Sequence, residues 1–301
     1  MRIFVTGAYG HIGSAVIPEL LGAGHGVVGY ARSDEAAAVI TAAGAEVQRG
    51  SLDDLDALRA ATEASDGVIH LAFRHDAMRA GDFVGAAESD SVAINAMIET
   101  LAGTNKPLVI SSGTLSLAFL QLGRTGVETD VVESGPRIDA ENAVIASAER
   151  GVRSSVIRLT PTVHSSLDHH GFVPGLIAIA REKGFAAYVG EGTNHWPAVH
   201  TLDAAHLYRL AVESAPAGTR LHAVGDEGVP FRAIAEAIGR NLNLPVVSIP
   251  ADEADAYFTY LSLFVQLDNP TSSAATQQLM SWTPARPGLL DDLDEGHYFT
   301  V

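Results

Sequence analysis

The chain has no cysteine, which excludes disulfides, thiolate nucleophiles and Cys-ligated zinc or iron–sulfur centres. Lysine is nearly missing too: Lys106 and Lys183 are the only two, against 17 arginines. Basic residues total 19 against 36 acidic ones, a formal charge of −17. That balance argues against a nucleic-acid or anionic-membrane partner, since both need a basic surface. No apolar run reaches the roughly 18 residues a membrane span requires. The first 24 residues are apolar after Arg2, but Pro18 and Glu19 interrupt the place where a secretory core would continue. A soluble, cytoplasmic protein is expected.

What is present is ample core. With 301 residues and 47% hydrophobic composition, one large α/β domain or two smaller ones fit. Apolar β-like runs at 2–5, 26–30, 45–48, 67–72, 108–111 and 154–159 alternate with amphipathic stretches at 11–21, 35–43, 55–64, 90–101 and 137–150. This rhythm implies βαβ units and a doubly wound parallel sheet, the Rossmann arrangement. After Leu159 the rhythm breaks, and 160–174, with two prolines and three histidines, reads as a loop. Helical spacing returns at 176–183, 203–213 and 231–241, and strands are expected at 187–189 and 220–224. The expected division is a nucleotide domain at 1–160 and a smaller, loop-rich substrate region at 161–301. Residues 195–224 are expected to return to the first domain's sheet.

Thr6-Gly7-Ala8-Tyr9-Gly10-His11-Ile12-Gly13 spells T-G-x-x-G-x-x-G between the first strand and the first helix. Glycine there permits a tight turn, lets a pyrophosphate approach backbone N–H groups, and allows close helix–strand packing. The placement marks a dinucleotide site.

These segments resemble the short-chain dehydrogenase/reductase superfamily, in its extended and atypical, epimerase/dehydratase-like branches. Val68–Phe73 resembles the family's strand-four end beside the adenosine ribose, and Ile110–Thr114 the strand-five end that presents an active-site hydroxyl. Arg158–His164 resembles the stretch bordering the nicotinamide, and Ala198–Ala205 the segment that returns to the sheet. Leu279, Trp282 and Pro284 resemble the C-terminal L-G-W-x-P, with Ser281 in place of its Gly. The resemblance implies a cofactor site of Gly7, Gly10, His11, Ile12, Gly13, Leu52, Leu71, Ala72, Phe73, Ser111, Arg137, Pro161 and Val163. It also implies a homodimer through the helices near 90–101 and 137–150.

Arg32 and Ser33 follow the second strand, where an NAD site usually has an acid. A guanidinium fork and a hydroxyl suit a 2′-phosphate, so NADP is expected. The alternative is a surface Arg32, with Asp34 or Glu35 serving NAD.

The family's Tyr-x-x-x-Lys pair is missing, because Ala102 precedes Lys106 by four and Ile179 precedes Lys183 by four. Alignment on Glu141 puts Arg137 in the Lys place and Glu133 in the Tyr place. Arg137 can hold ribose hydroxyls but cannot relay protons. Glu133 and Arg137 equally read as an ion pair at a helix start. Ser112 and Thr114 are candidates to orient a carbonyl oxygen, or else cap a turn. His164 is a candidate acid, or else a structural histidine. Phe73, Tyr188, His195 and Trp196 are candidate pocket walls, with core packing as the alternative. Asp90 and Asn95 read as an exposed helical face. No metal site is expected, since His169, His170, His195 and His200 lack metal-ligand spacing.

Three functions remain open. The first is an atypical NADP-dependent oxidoreductase acting on a small carbonyl-type substrate. The second is an NADP(H)-binding sensor with little or no turnover. The third is a sugar-nucleotide epimerase- or dehydratase-like enzyme.

Overall fold

The computed structural model describes residues 1–79 and 81–300. Its strands are β1 (Arg2–Thr6), β2 (Gly26–Ala31), β3 (Glu46–Arg49), β4 (Gly67–His70), β5 (Pro107–Gly113), β6 (Arg153–Leu159), β7 (Thr162–His164), β8 (Ala186–Val189), β9 (His195–His200), β10 (Thr219–Ala223), β11 (Asp226–Pro230) and β12 (Val246–Ile249). The main helices are α1 (His11–Gly22), α2 (Asp34–Ala42), α3 (Leu55–Glu63), α4 (His75–Arg79), α5 (Phe83–Leu101), α6 (Ile138–Ala146), α7 (Phe172–Lys183), α8 (Thr201–Ser214) and α9 (Phe231–Leu242). Shorter helices follow to the C-terminus.

Seven strands form one parallel sheet in the order β10-β6-β5-β4-β1-β2-β3. Both faces of this Rossmann-like sheet are covered, which is why its central strands read as unbroken apolar runs. Val5, Ile69, Val109 and Ile157 pack with Leu20 of α1 and Leu207 and Tyr208 of α8. Phe4, Val68, Leu108 and Val156 alternate to the opposite face, against Leu58, Met97 and Val144. A separate core built on Trp196, Phe231, Phe258, Leu261 and Leu289 holds the C-terminal region together. There β7, β9 and β11 make a small sheet, and β8 pairs with β12.

Several boundaries differ from the sequence reading. The helix expected at 90–101 starts at Phe83, because Asp82 accepts a hydrogen bond from the Gly85 amide and caps it earlier. The helix expected at 137–150 starts at Ile138, because Arg137 takes a left-handed φ of +68°. The expected loop at 160–174 holds β7, which pairs in parallel with β9. Within 195–224 it is β10 that joins the large sheet, whereas β9 pairs outside it. Among the described residues no helix is long and apolar enough to cross a membrane.

Candidate active site

Strand order reverses between β1 and β4, so a crevice opens at the carboxyl ends of those strands. Gly7 turns there with φ +65°, and a Cβ on it would lie 2.7 Å from both the Leu71 carbonyl carbon and the Ala72 nitrogen. A Cβ on Gly13 would lie 2.3 Å from the Gly7 oxygen. Gly10 gives α1 no side-chain cap, so the first-turn amides, which lack intrahelical acceptors, face the loop. This cradle, which side chains would fill, fits a dinucleotide pyrophosphate.

At the end of β2, Arg32 lies 3.3 Å from the Asp76 carboxylate. Ser33 caps α2 by accepting from the Ala36 amide at 3.2 Å. Asp34 is paired with Arg49. Leu52 packs against the core on the α5 face, and Val163 against the core on the α1 face.

At the ends of β4 and β5, four segments meet. Thr6 Oγ1 accepts the Leu71 and Ala72 amides, each at 3.2 Å, and lies 2.8 Å from His70 Nδ1. His70 Nε2 lies 2.9 Å from Asp90 Oδ1, and Asp90 Oδ2 lies 4.0 Å from Arg137 Nε. Arg137 Nη2 donates to the Ser111 carbonyl at 3.0 Å, and its guanidinium sits 4.3 Å over the Phe73 ring. Ser111 Oγ is 2.6 Å from the hydroxyl of fully buried Tyr208, whose pKa burial pushes far up. Glu133 lies outside the helix, so the expected ion pair with Arg137 along a helix face does not form. Asp90 is not on an exposed face: it is 3% exposed and paired. Neither His70 nor Tyr208 was singled out from sequence.

The candidate hydroxyls have partners of their own. Ser112 is 6% exposed and close to Glu141, a carboxylate that burial alone would raise but that Arg158, Ser112 and Arg220 together hold below its usual range. Thr114 is fully enclosed and accepts from Asn269 Nδ2 at 3.2 Å. His164 is buried, with Nδ1 2.9 Å from Asp292. Trp196 is wholly enclosed rather than lining an open pocket; it packs on Phe172 and Phe231 and donates to the Phe264 carbonyl. Tyr188 carries the Arg232 guanidinium on its ring, and half-buried His195 pairs with Asp268. Phe73 alone of the four expected pocket walls joins the Arg137 cluster.

Beside the cradle, His11 Nε2 is 2.8 Å from Thr201 Oγ1 and Nδ1 is 3.8 Å from Asp168. Burial first, then the nearby His169, His164 and His200, lower His11 to about 4. Burial raises Asp168 to about 6, against the amides of Gly171 and His170. A carboxyl raised in the folded state stabilises below its ordinary value of 3.8, and that contribution disappears as pH rises through about 6. Asp168→Asn should therefore be more stable than wild type at pH 8, by about 1–3 kcal/mol, with the difference vanishing near pH 4. Urea unfolding at the two pH values checks this; a less stable variant at pH 8 contradicts it.

Among the described residues, Asp292, Glu295 and His297 form one group with metal-ligand proximity. It lies on the C-terminal segment and shares Asp292 with His164.

A doubly wound sheet with a glycine cradle at its switch point defines a dinucleotide-binding protein of the short-chain dehydrogenase/reductase type. Residues 3–119 match the family model described as the NAD dependent epimerase/dehydratase family. An uncharacterised protein of Schizosaccharomyces pombe is 46% identical over 99% of this chain and 100% of its own length. The chain belongs to the NAD dependent epimerase/dehydratase family. It is also 26% identical, over 72% of its length and 66% of the relative's, to a 4-hydroxy-2-methyl-3-oxo-4-farnesyl-3,4-dihydroquinoline-1-oxide ketoreductase of Stigmatella aurantiaca. Among solved structures, a UDP-glucose 4-epimerase of Thermotoga maritima bound to UDP-glucose superposes with a TM-score of 0.77. That match has 18% identity and covers 99% of this chain and 98% of the epimerase.

Proposed function

We propose that the protein is a cytoplasmic, NADP(H)-dependent oxidoreductase that acts on a small carbonyl-type substrate without a Tyr-x-x-x-Lys pair. Arg137 carries this reading: a fixed cation stands where the chain's relatives by resemblance use lysine, in reach of a nicotinamide ribose. The nicotinamide would supply hydride at C4. The chain's own part is to seat the pyrophosphate on the α1 amides, hold the ribose with Arg137 and face the ring with Phe73. The preference for NADP rests on Arg32, whose exposed guanidinium stands at the end of β2 beside Asp76. The ketoreductase among the relatives accords with carbonyl chemistry. A homodimer through α5 and α6 belongs to the same reading; α5 carries exposed Val84 and Val92.

One observation favours a second reading, an NADP(H) sensor with little turnover. Ser112, Thr114 and His164 are all buried, with Thr114 and His164 Nδ1 bonded to Asn269 and Asp292, and His164 Nε2 is enclosed without a hydrogen-bond partner, so none of the three stands open to a substrate. The sugar-nucleotide epimerase or dehydratase reading draws on the family match over residues 3–119 and on fold likeness.

Titration with NADPH and NADH, followed by an aldehyde, ketone and quinone panel monitored by NADPH absorbance, separates these readings. Saturable NADPH binding with turnover supports the oxidoreductase, and tight binding with no turnover supports the sensor. Binding of neither nucleotide sinks both. Arg32→Ala should weaken NADPH about tenfold or more and leave NADH nearly unchanged, as expected for loss of a charge-assisted phosphate contact. Equal losses for both nucleotides contradict the phosphate role.

A further inference from the structure

We infer that Asp90, itself fixed by His70 and Thr6, is a positioning residue that sets how Arg137 presents its guanidinium to the nicotinamide ribose of a bound dinucleotide. The inference rests on the dinucleotide reading above and adds the residues that make its ribose contact work.

The hydrogen bonds run in one direction. Thr6 Oγ1 accepts two backbone amides, so its own proton goes to His70 Nδ1. The ring proton of His70 then sits on Nε2 and donates to Asp90 Oδ1. This leaves Oδ2 of a carboxylate on the interior face of α5. An isolated buried carboxylate is strongly disfavoured, and Asp90's cationic neighbour in the described ion pairs, apart from the His70 ring, is Arg137.

Arg137 is held as tightly from its own side. Its left-handed backbone, φ +68°, is one that residues with a Cβ avoid unless their surroundings enforce it. The Ser111 carbonyl takes Nη2, the Phe73 ring takes the flat face, and Asp90 faces Nε, which is buried without a hydrogen bond. Nη1 takes part in none of these contacts, and the side chain is 28% exposed. A guanidinium fixed on three sides with one nitrogen left over suits a pair of ribose hydroxyl oxygens.

A double-mutant cycle on the full chain tests this, with NADPH, NADH and ADP affinities measured for wild type, Asp90→Asn, Arg137→Met and the double variant. ADP reaches only the adenosine and pyrophosphate half, so it reports an intact fold. Asp90→Asn should weaken the reduced dinucleotides about tenfold, and adding it to Arg137→Met should cost almost nothing more. ADP affinity should stay within about twofold throughout, since additive energetics apply to distant sites. Independent, multiplicative losses overturn the inference, as does a parallel fall in ADP affinity for Asp90→Asn. If wild type binds ADP but neither dinucleotide, the cofactor reading itself fails, and that result is distinct from either.

Discussion

Glu141→Leu should destabilise the fold by about 3–5 kcal/mol, the usual result of removing one member of a buried ion pair. Glu141 is fully enclosed on α6 and accepts from Arg158 Nε at 3.0 Å, Arg158 Nη2 at 2.6 Å and Arg220 Nε at 2.8 Å. Arg158 is itself 0% exposed, and its further contacts are neutral ones, from Nη1 to the Asp130 carbonyl at 2.8 Å and to His222 Nε2 at 3.4 Å. Without Glu141 its charge stays buried and largely unpaired. Denaturant unfolding at pH 7 measures the loss, and a change below about 1 kcal/mol contradicts the assignment, since that is the scale of an exposed pair. Glu141's carboxyl is held below its ordinary 4.5, so the ion pair's contribution is present above that value. It fades as pH falls through the folded-state value, and the gap between variant and wild type should narrow in acid. Replacing Arg158 by Met in the same chain should recover part of the loss, because an apolar pair avoids the stranded charge.

Gly13→Ala should abolish dinucleotide binding while leaving most of the stability in place. The new Cβ would meet backbone on every side, at 2.3 Å from the Gly7 oxygen and 2.7 Å from the Ala8 carbonyl carbon. Backbone cannot swing aside as a side-chain tip can, so either the loop or the first turn of α1 must move. An anion cradle depends on amide directions set within that turn. A loss of at least about a hundredfold in NADPH affinity is expected, equivalent to about 2.8 kcal/mol of phosphate contacts. Gly22→Ala, at the far end of the same helix with open space around it, should leave binding unchanged. Comparable losses in the two variants would mean that helix perturbation, not the cradle, is responsible.

What sequence revealed and what it hid divide along the same physical line. The central strands of the large sheet announced themselves because both faces are buried and apolar runs need no partner to be recognised. The cradle was legible because only glycine tolerates Gly7's turn and Gly13's contact. The absent Tyr-x-x-x-Lys pair was legible by counting lysines. Asp90 was not legible: a mid-helix aspartate reads as solvent-facing until His70, twenty residues earlier, is placed beside it. Tyr208 meets Ser111 across 97 residues, and Asn269 meets Thr114 across 155, separations that no local pattern encodes. Trp196 misled because an aromatic in a short strand carries no sign of which side its neighbours lie on. Arg137 was found by alignment, but its left-handed backbone was not, since arginine is a poor advertisement for that conformation.

The seventh strand, β10, carries a consequence for how the chain must fold and how it can be cut. Thr219 of β10 lies beside Ser155 of β6, with the whole of β7, α7, β8, β9 and α8 intervening. Until residue 223 has emerged from the ribosome, β6 is an unprotected edge whose amides and carbonyls invite pairing with another nascent chain. A fragment ending near 160 would leave that edge permanently open and should aggregate instead of yielding a free-standing nucleotide domain. Long-range closure of this kind raises contact order and slows folding. The sheet is thus completed last by the half of the chain that would otherwise be drawn as a separate module.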